Sequence, residues 1–363
     1  MKKIAIAAAI AACAGPGMQA RAQTAVQIYG IVDAAVEHYT NADAAGHSRT
    51  WMPSLGGGMF PSRLGFKGSE DLGGGLKAIF TLENGIQLDT GANGQNRLFG
   101  RQAWVGLAGD WGQVTLGRNY NMIYNSMPEF DLFGPSQYGL GSLDPAIPNG
   151  RTDNSIAYKG SFKGVTVGAT YSLGRDVSNA GGPASTNCAG ENAADAQACR
   201  EWSAMLRYDG AAWGAVGAYD RKRGGAGAAA GLTASNLSDS RAHGGVYARF
   251  GAWKVSGGAV VRDNEGAPAA PRSNLYYLSA AYKLTPALTV DGQLARLDYR
   301  NSGNDSRQAL LRAMFDFSKR TTVYVAGGRI DNGGSAAVTI TAGGSVGAGL
   351  AQNALLAGIK HGF

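Results

Sequence analysis

No apolar run in this 363-residue chain reaches the ~18 residues needed to cross a bilayer as a helix, so helical membrane spans are excluded. Cysteine is scarce at three residues, and histidine is limited to His38, His47, His243 and His361. None of these histidines stands in a motif with a nucleophilic serine. Gly56-Gly57-Gly58 and Gly73-Gly74-Gly75 lack the Lys-Ser/Thr that would complete a phosphate loop, and they read as turns. No cofactor, metal or nucleic-acid partner is therefore expected.

Glycine, in contrast, is plentiful: 56 residues, about twice the usual share. It follows no collagen period and forms no low-complexity tract. It is scattered through alternating segments, as in strands joined by many tight turns. The mean hydropathy of −0.14 would suit a soluble protein. It suits a membrane β-barrel equally well, because such a barrel is apolar only at every second residue.

The chain starts with a secretory pattern. Lys2 and Lys3 form a basic region, Ile4 to Ala12 an apolar one, and Ala20-Arg21-Ala22 a small-x-small cleavage site. Ile10-Ala11-Ala12-Cys13 also resembles a lipidation box, although a cut there would leave a very short signal. Cleavage after Ala22 removes 22 of 363 residues and leaves a mature chain of 23–363. The net charge then falls from +7 to +4, since Lys2, Lys3 and Arg21 leave with no acid. Only Cys188 and Cys199 remain, in one polar stretch with no histidine nearby. Outside the cytoplasm they are expected to form a disulfide.

Parity separates two faces along the chain. Arg241, His243, Tyr247 and Arg249 alternate with Ala242, Val246, Ala248 and Phe250. Lys254, Ser256 and Arg262 oppose Val255, Ala259 and Val261, and Arg312 and Asp316 oppose Leu311, Phe315 and Phe317. A soluble sandwich also alternates, so connection lengths must decide between them. Tight turns, as at Glu70–Gly74, Gly109–Gly112, Phe250–Ala252 and Ser318–Thr321, alternate with long segments at 41–60, 120–151, 175–199, 224–240, 264–272 and 332–350. That rhythm marks an outer-membrane barrel. Segment counting predicts sixteen strands, among them 75–90, 95–109 and 351–363. The fold expected is all-β: a 16-stranded antiparallel transmembrane β-barrel with an inward-folded third loop. The last alternating strand ends on Phe363, an aromatic ring suited to the interfacial girdle.

The longest irregular stretch, about 120–151, carries Tyr120, Tyr124, Phe130, Phe133 and Tyr138. So many rings need a surface to bury against. Folding onto the barrel wall would supply it and would leave Glu129 and Asp131 facing a pore.

The run Pro61-Ser62-Arg63-Leu64-Gly65-Phe66-Lys67-Gly68-Ser69-Glu70-Asp71-Leu72-Gly73-Gly74-Gly75-Leu76-Lys77 resembles the second strand and first turn of the general porins of Gram-negative bacteria, especially the β-proteobacterial branch. Tyr29-Gly30-Ile31-Val32-Asp33, Gly112-Gln113-Val114-Thr115-Leu116-Gly117-Arg118, Ser318-Lys319-Arg320-Thr321 and Gly358-Ile359-Lys360-His361-Gly362-Phe363 extend the likeness in the family's order. The resemblance implies a homotrimer of barrels in the outer membrane, in contact with its lipid and lipopolysaccharide. It implies a third loop that narrows each channel, and a terminal aromatic read by the barrel-assembly machinery. Carried over by position, the constriction arginines are Arg63, Arg101 and Arg151, facing Glu129 and Asp131, with Asp144 as a further acid. Arg118 shares the parity of the apolar Val114 and Leu116, so either it lies beyond the lipid band or a bulge intervenes.

The function implied is passive diffusion of small hydrophilic solutes and ions through a water-filled channel, with a modest preference for anions. Two other classes compete with this reading. A surface adhesin or receptor would use the long loops, and an outer-membrane hydrolase would need a catalytic histidine that no motif supplies. Steady, large single-channel openings would separate a porin from both.

Overall fold

The computed structural model describes residues 25–53, 57–175, 188, 190–268 and 271–363; the expected signal at 1–22 lies outside them. Sixteen long strands make the wall. In chain order they are β1 (Ala25–Tyr39), β2 (Arg63–Gly73), β3 (Leu76–Gln87), β4 (Gln102–Gly109), β5 (Gly112–Tyr120) and β6 (Arg151–Phe162). Next come β7 (Val165–Ser172), β8 (Glu201–Asp209), β9 (Trp213–Arg223), β10 (Ser238–Phe250) and β11 (Trp253–Asn264). The last five are β12 (Arg272–Lys283), β13 (Leu288–Tyr299), β14 (Ser306–Asp316), β15 (Thr321–Asn332) and β16 (Gln352–Gly362). Each pairs antiparallel with its neighbour, and β1 pairs with β16 from Ile31↔Gly362 to Tyr39↔Ala354, so the sheet closes. Closure leaves no edge, and every ladder amide finds its partner within the wall. The expected sixteen-stranded barrel is borne out.

Burial on the two faces is inverted relative to a soluble protein. Leu278, Leu294, Leu311 and Leu355 are each 55% exposed or more, whereas their neighbours Ser279, Gln293 and Arg312 are buried. Leucine pointing outward and arginine pointing inward is a stable arrangement only where lipid lies outside and polar partners lie inside. Among the described residues no helix is long and apolar enough to cross a membrane; the strands do the crossing.

Three local departures from the expected pattern have physical causes. The strand expected at 95–109 begins only at Gln102. Before it, Gln95 and Asn96 take positive φ values of 58° and 50°, a left-handed geometry that a ladder does not accept. Residues 88–101 therefore form a further connection, held by Asn84, whose side-chain amide donates to Asn93 Oδ1 at 2.9 Å. In β5 the register shifts between Gly117 and Asn119. This bulge turns Arg118 to the polar face, where it is buried. Finally, residues 58–60 at the end of the first long connection fold back onto β1. The Gly58 and Phe60 amides each donate to the Asp33 carboxylate at 2.9 Å and the Met59 amide at 3.2 Å.

A candidate pore constriction on the polar face

Between β5 and β6, residues 121–150 carry two short helices, α1 (Met122–Ser126) and α2 (Leu140–Leu143). Asn121 caps α1 by accepting from the Tyr124 amide at 3.0 Å, and its side-chain amide donates to Glu201 at 3.1 Å and Asp220 at 3.2 Å. Successive attachments then run around the wall. Ser126 Oγ lies 2.8 Å from His243 Nδ1, Ser256 Oγ donates to the Phe130 carbonyl at 2.6 Å, and Gln308 donates to Ser142 Oγ at 3.0 Å. Every one of these wall residues belongs to the polar parity, so the segment packs on the face opposite the exposed leucines. Phe130, Phe133 and Tyr138 are at most 1% exposed. Burying each ring stabilises the segment by on the order of 2 kcal/mol, which is the burial expected for such an aromatic stretch.

Arg63, Arg101 and Arg151 come together on the β2–β6 side of the wall. Their centre is the stacked pair Tyr120 and Tyr124, with ring centroids 3.9 Å apart. The Arg151 guanidinium lies 5.1 Å from the Tyr120 centroid and 5.7 Å from that of Tyr124. Arg101 donates to Glu83 Oε1 at 2.6 Å and to the Tyr120 hydroxyl at 2.8 Å. Arg63 donates from Nε to the Pro61 carbonyl at 3.0 Å. Among the described residues neither Arg63 nor Arg151 has a carboxylate partner, so Glu83 alone answers three guanidinium groups. Glu83 was missed from sequence, although it stands on the inner parity of β3 with Thr81.

The acids of the segment divide into separate roles. Glu129 takes a φ of 77° and turns its half-exposed carboxylate to Arg249 and to Lys254 Nζ, the latter at 2.6 Å. Burial pushes this carboxyl up, but the hydrogen bond and charge of Lys254, with Arg249, hold it below the usual carboxylate range. Asp131 is not free to face a pore as expected. It is buried and accepts from Gln293 at 2.8 Å and from the Gly134 amide at 3.1 Å. Burial pushes its carboxyl above the usual range against those bonds. Asp144 faces none of the three arginines; it pairs with Arg241 on β10. Arg118 donates to Asp153 and to the Gly100 carbonyl, which spends its charge locally.

A cavity of 420 Å³ joins the two sides, bordered by Arg63 on β2, by Glu129 and Asp131, and by Lys254 on β11. Away from it, Cys188 and Cys199 form the expected disulfide. Phe363 exchanges two 3.1 Å backbone hydrogen bonds with Gly30, beside the β1–β16 seam, and its ring is exposed on the outward face. No group of three or more His, Cys, Asp or Glu gathers as a metal site among the described residues.

The sequence profile of the Gram-negative porin family matches residues 5–335. Outer membrane porin protein 32 of Delftia acidovorans is 32% identical over 382 residues, covering the whole of both chains. The major outer membrane protein P.IB of Neisseria gonorrhoeae is 24% identical and covers 92% of this chain and 94% of its own. Among solved structures, an anion-selective porin from Comamonas acidovorans superposes with a TM-score of 0.74 at 26% identity, covering 94% of this chain and all of that one. An outer membrane protein of Vibrio cholerae matches at a TM-score of 0.64 and 14% identity, which speaks for the fold alone. These family members and neighbours are channels rather than enzymes. With its closed barrel, inverted faces and polar lumen, the chain belongs to the Gram-negative porin family, as an outer-membrane channel for the passive diffusion of small hydrophilic solutes and ions.

Proposed function

We propose that this porin favours anions, with residues 121–150 as its constriction and Arg63, Arg101 and Arg151 as the groups that set the preference. The observation that carries this reading is the charge balance around Tyr120 and Tyr124. Three guanidinium groups meet the one carboxylate of Glu83, with only Arg101 paired to it. Walls of low dielectric on both sides strengthen a field of this sign and raise the local concentration of anions. The anion-selective porin from Comamonas acidovorans, at 26% identity, supports the same sign. Glu129, already answered by Arg249 and Lys254, does little to offset it. A reversal potential measured across a bilayer in a salt gradient tests the proposal: a sign reporting anion preference is expected, and cation preference would overturn it.

The rest of the reading follows the family pattern. The signal 1–22 is removed on export, the mature chain 23–363 assembles as a homotrimer, and lipopolysaccharide and other outer-membrane lipids surround the exposed leucines. The barrel-assembly machinery engages the end of β16 at Phe363.

A further inference from the structure

We propose that the 420 Å³ cavity bounded by Arg63 and residues 124–148 is a weak binding site for carboxylates that carry an apolar ring, a solute class of which benzoate is the simplest probe. The inference rests on the channel reading above and names a substrate class for it. The volume falls within the roughly 300–1,000 Å³ of small-molecule sites, which combine apolar walls with a few placed polar groups. Here Phe60, Leu132, Pro135, Ile147 and Pro148 supply an apolar wall. A passage for ions alone gains nothing from that lining, because a hydrated ion keeps its water and finds no partner there.

The polar side of the cavity is cationic. Arg63 borders the cavity, donates from Nε to the Pro61 carbonyl, and forms no ion pair with any described carboxylate. The two acids on the border are already occupied, Glu129 by Lys254 and Arg249 and Asp131 by Gln293 and Gly134. A carboxylate entering the cavity therefore meets an unpaired guanidinium, while its ring replaces water along Phe60 and Leu132. A short aliphatic carboxylate could make only the first contact, and a neutral ring only the second.

The test is single-channel current through the intact protein in potassium chloride with added benzoate, acetate or benzamide. Benzoate should reduce the current at a concentration at least tenfold below that of acetate, and benzamide should have no comparable effect. Leu132→Ser and Phe60→Ser should each narrow the benzoate-to-acetate ratio within the same variant. Arg63→Gln should weaken benzoate and acetate together, and Arg63→Lys should restore both in part. Because only open channels are scored, a variant that assembles poorly still yields the ratio. Equal potency of benzoate and acetate, or a ratio untouched by both apolar substitutions, would overturn the proposal while leaving a chloride-conducting channel. Failure of the channel reading itself would show differently, as no steady openings or as cation preference in chloride alone.

Discussion

Asp144 and Arg241 meet through two hydrogen bonds, Nε to Oδ2 at 2.7 Å and Nη2 to Oδ1 at 3.1 Å, and both side chains are buried. The pair ties α2 of the 121–150 segment to β10. Burial raises the Asp144 carboxyl, but the charge and hydrogen bonds of Arg241 outweigh it and bring its pKa to about 2. A carboxyl held below its unfolded value contributes stability that is complete above pH ~4 and is lost as pH falls through the folded value. Current noise from a loosened segment should therefore rise as the pH drops from about 4 to about 2. Asp144→Asn should be noisy already at neutral pH and indifferent to that acid step. Arg241→Met, which leaves a buried carboxylate unpaired, should cost about 3–5 kcal/mol, read as a lower unfolding temperature.

The arginine cluster makes a graded prediction. Arg63→Gln or Arg151→Gln should each shift the reversal potential toward cations, and the double variant should bring the preference close to zero. One guanidinium and one carboxylate would then remain, Arg101 and Glu83, paired at 2.6 Å. An unchanged reversal potential in the double variant would show that selectivity is set elsewhere in the lumen.

Cys188 and Cys199 are eleven residues apart. Closing so short a loop constrains the unfolded chain by about 2–3 kcal/mol, and its effect on the folded protein is local. The double Cys→Ser variant should keep its single-channel conductance while its long connection between β7 and β8 becomes easier to nick with protease. Loss of conductance would contradict this.

Deletion of Phe363 removes an interfacial ring and two backbone hydrogen bonds to Gly30 at the seam. The amount of protein assembled in the outer membrane should fall severalfold, while each channel that does form should conduct normally. Full assembly of the truncated chain would remove the proposed role.

A closed barrel should resist mild detergent, so the folded chain should migrate faster before boiling than after, and the proposed trimer should add a slower band that boiling removes. Pairing throughout the wall leaves no edge at which unfolding can start. Equal migration with and without heat would speak against a stable assembly.

Much of this was present in consecutive residues. Side chains on a strand change face at every step, so the alternation of Arg241, His243 and Tyr247 with Ala242, Gly244 and Val246 already assigned them to opposite faces. The aromatic content of 120–151 required an inner surface for the same local reason, that exposed rings are unfavourable in water. The three arginines likewise stood where the wall brought them together. What those residues could not contain was the identity of partners across the lumen. Glu129 meets Arg249 and Lys254, 120 and 125 positions away, and Asp131 is taken by Gln293, although sequence placed both acids free in a pore. For Arg118, its parity with Val114 and Leu116 left two readings, a place beyond the lipid band or a bulge, and the structure has the bulge, at Gly117. Period-two alternation is written into neighbouring residues and determined the two faces; together with the rhythm of short and long connections it determined the barrel, though not every strand end, since the strand expected from residue 95 begins at Gln102. An aperiodic segment has no such register; where it lies depends on many contacts of about 1 kcal/mol each with strands that become neighbours only after the barrel closes, and so tertiary structure alone decided which charges in the lumen are spent and which remain.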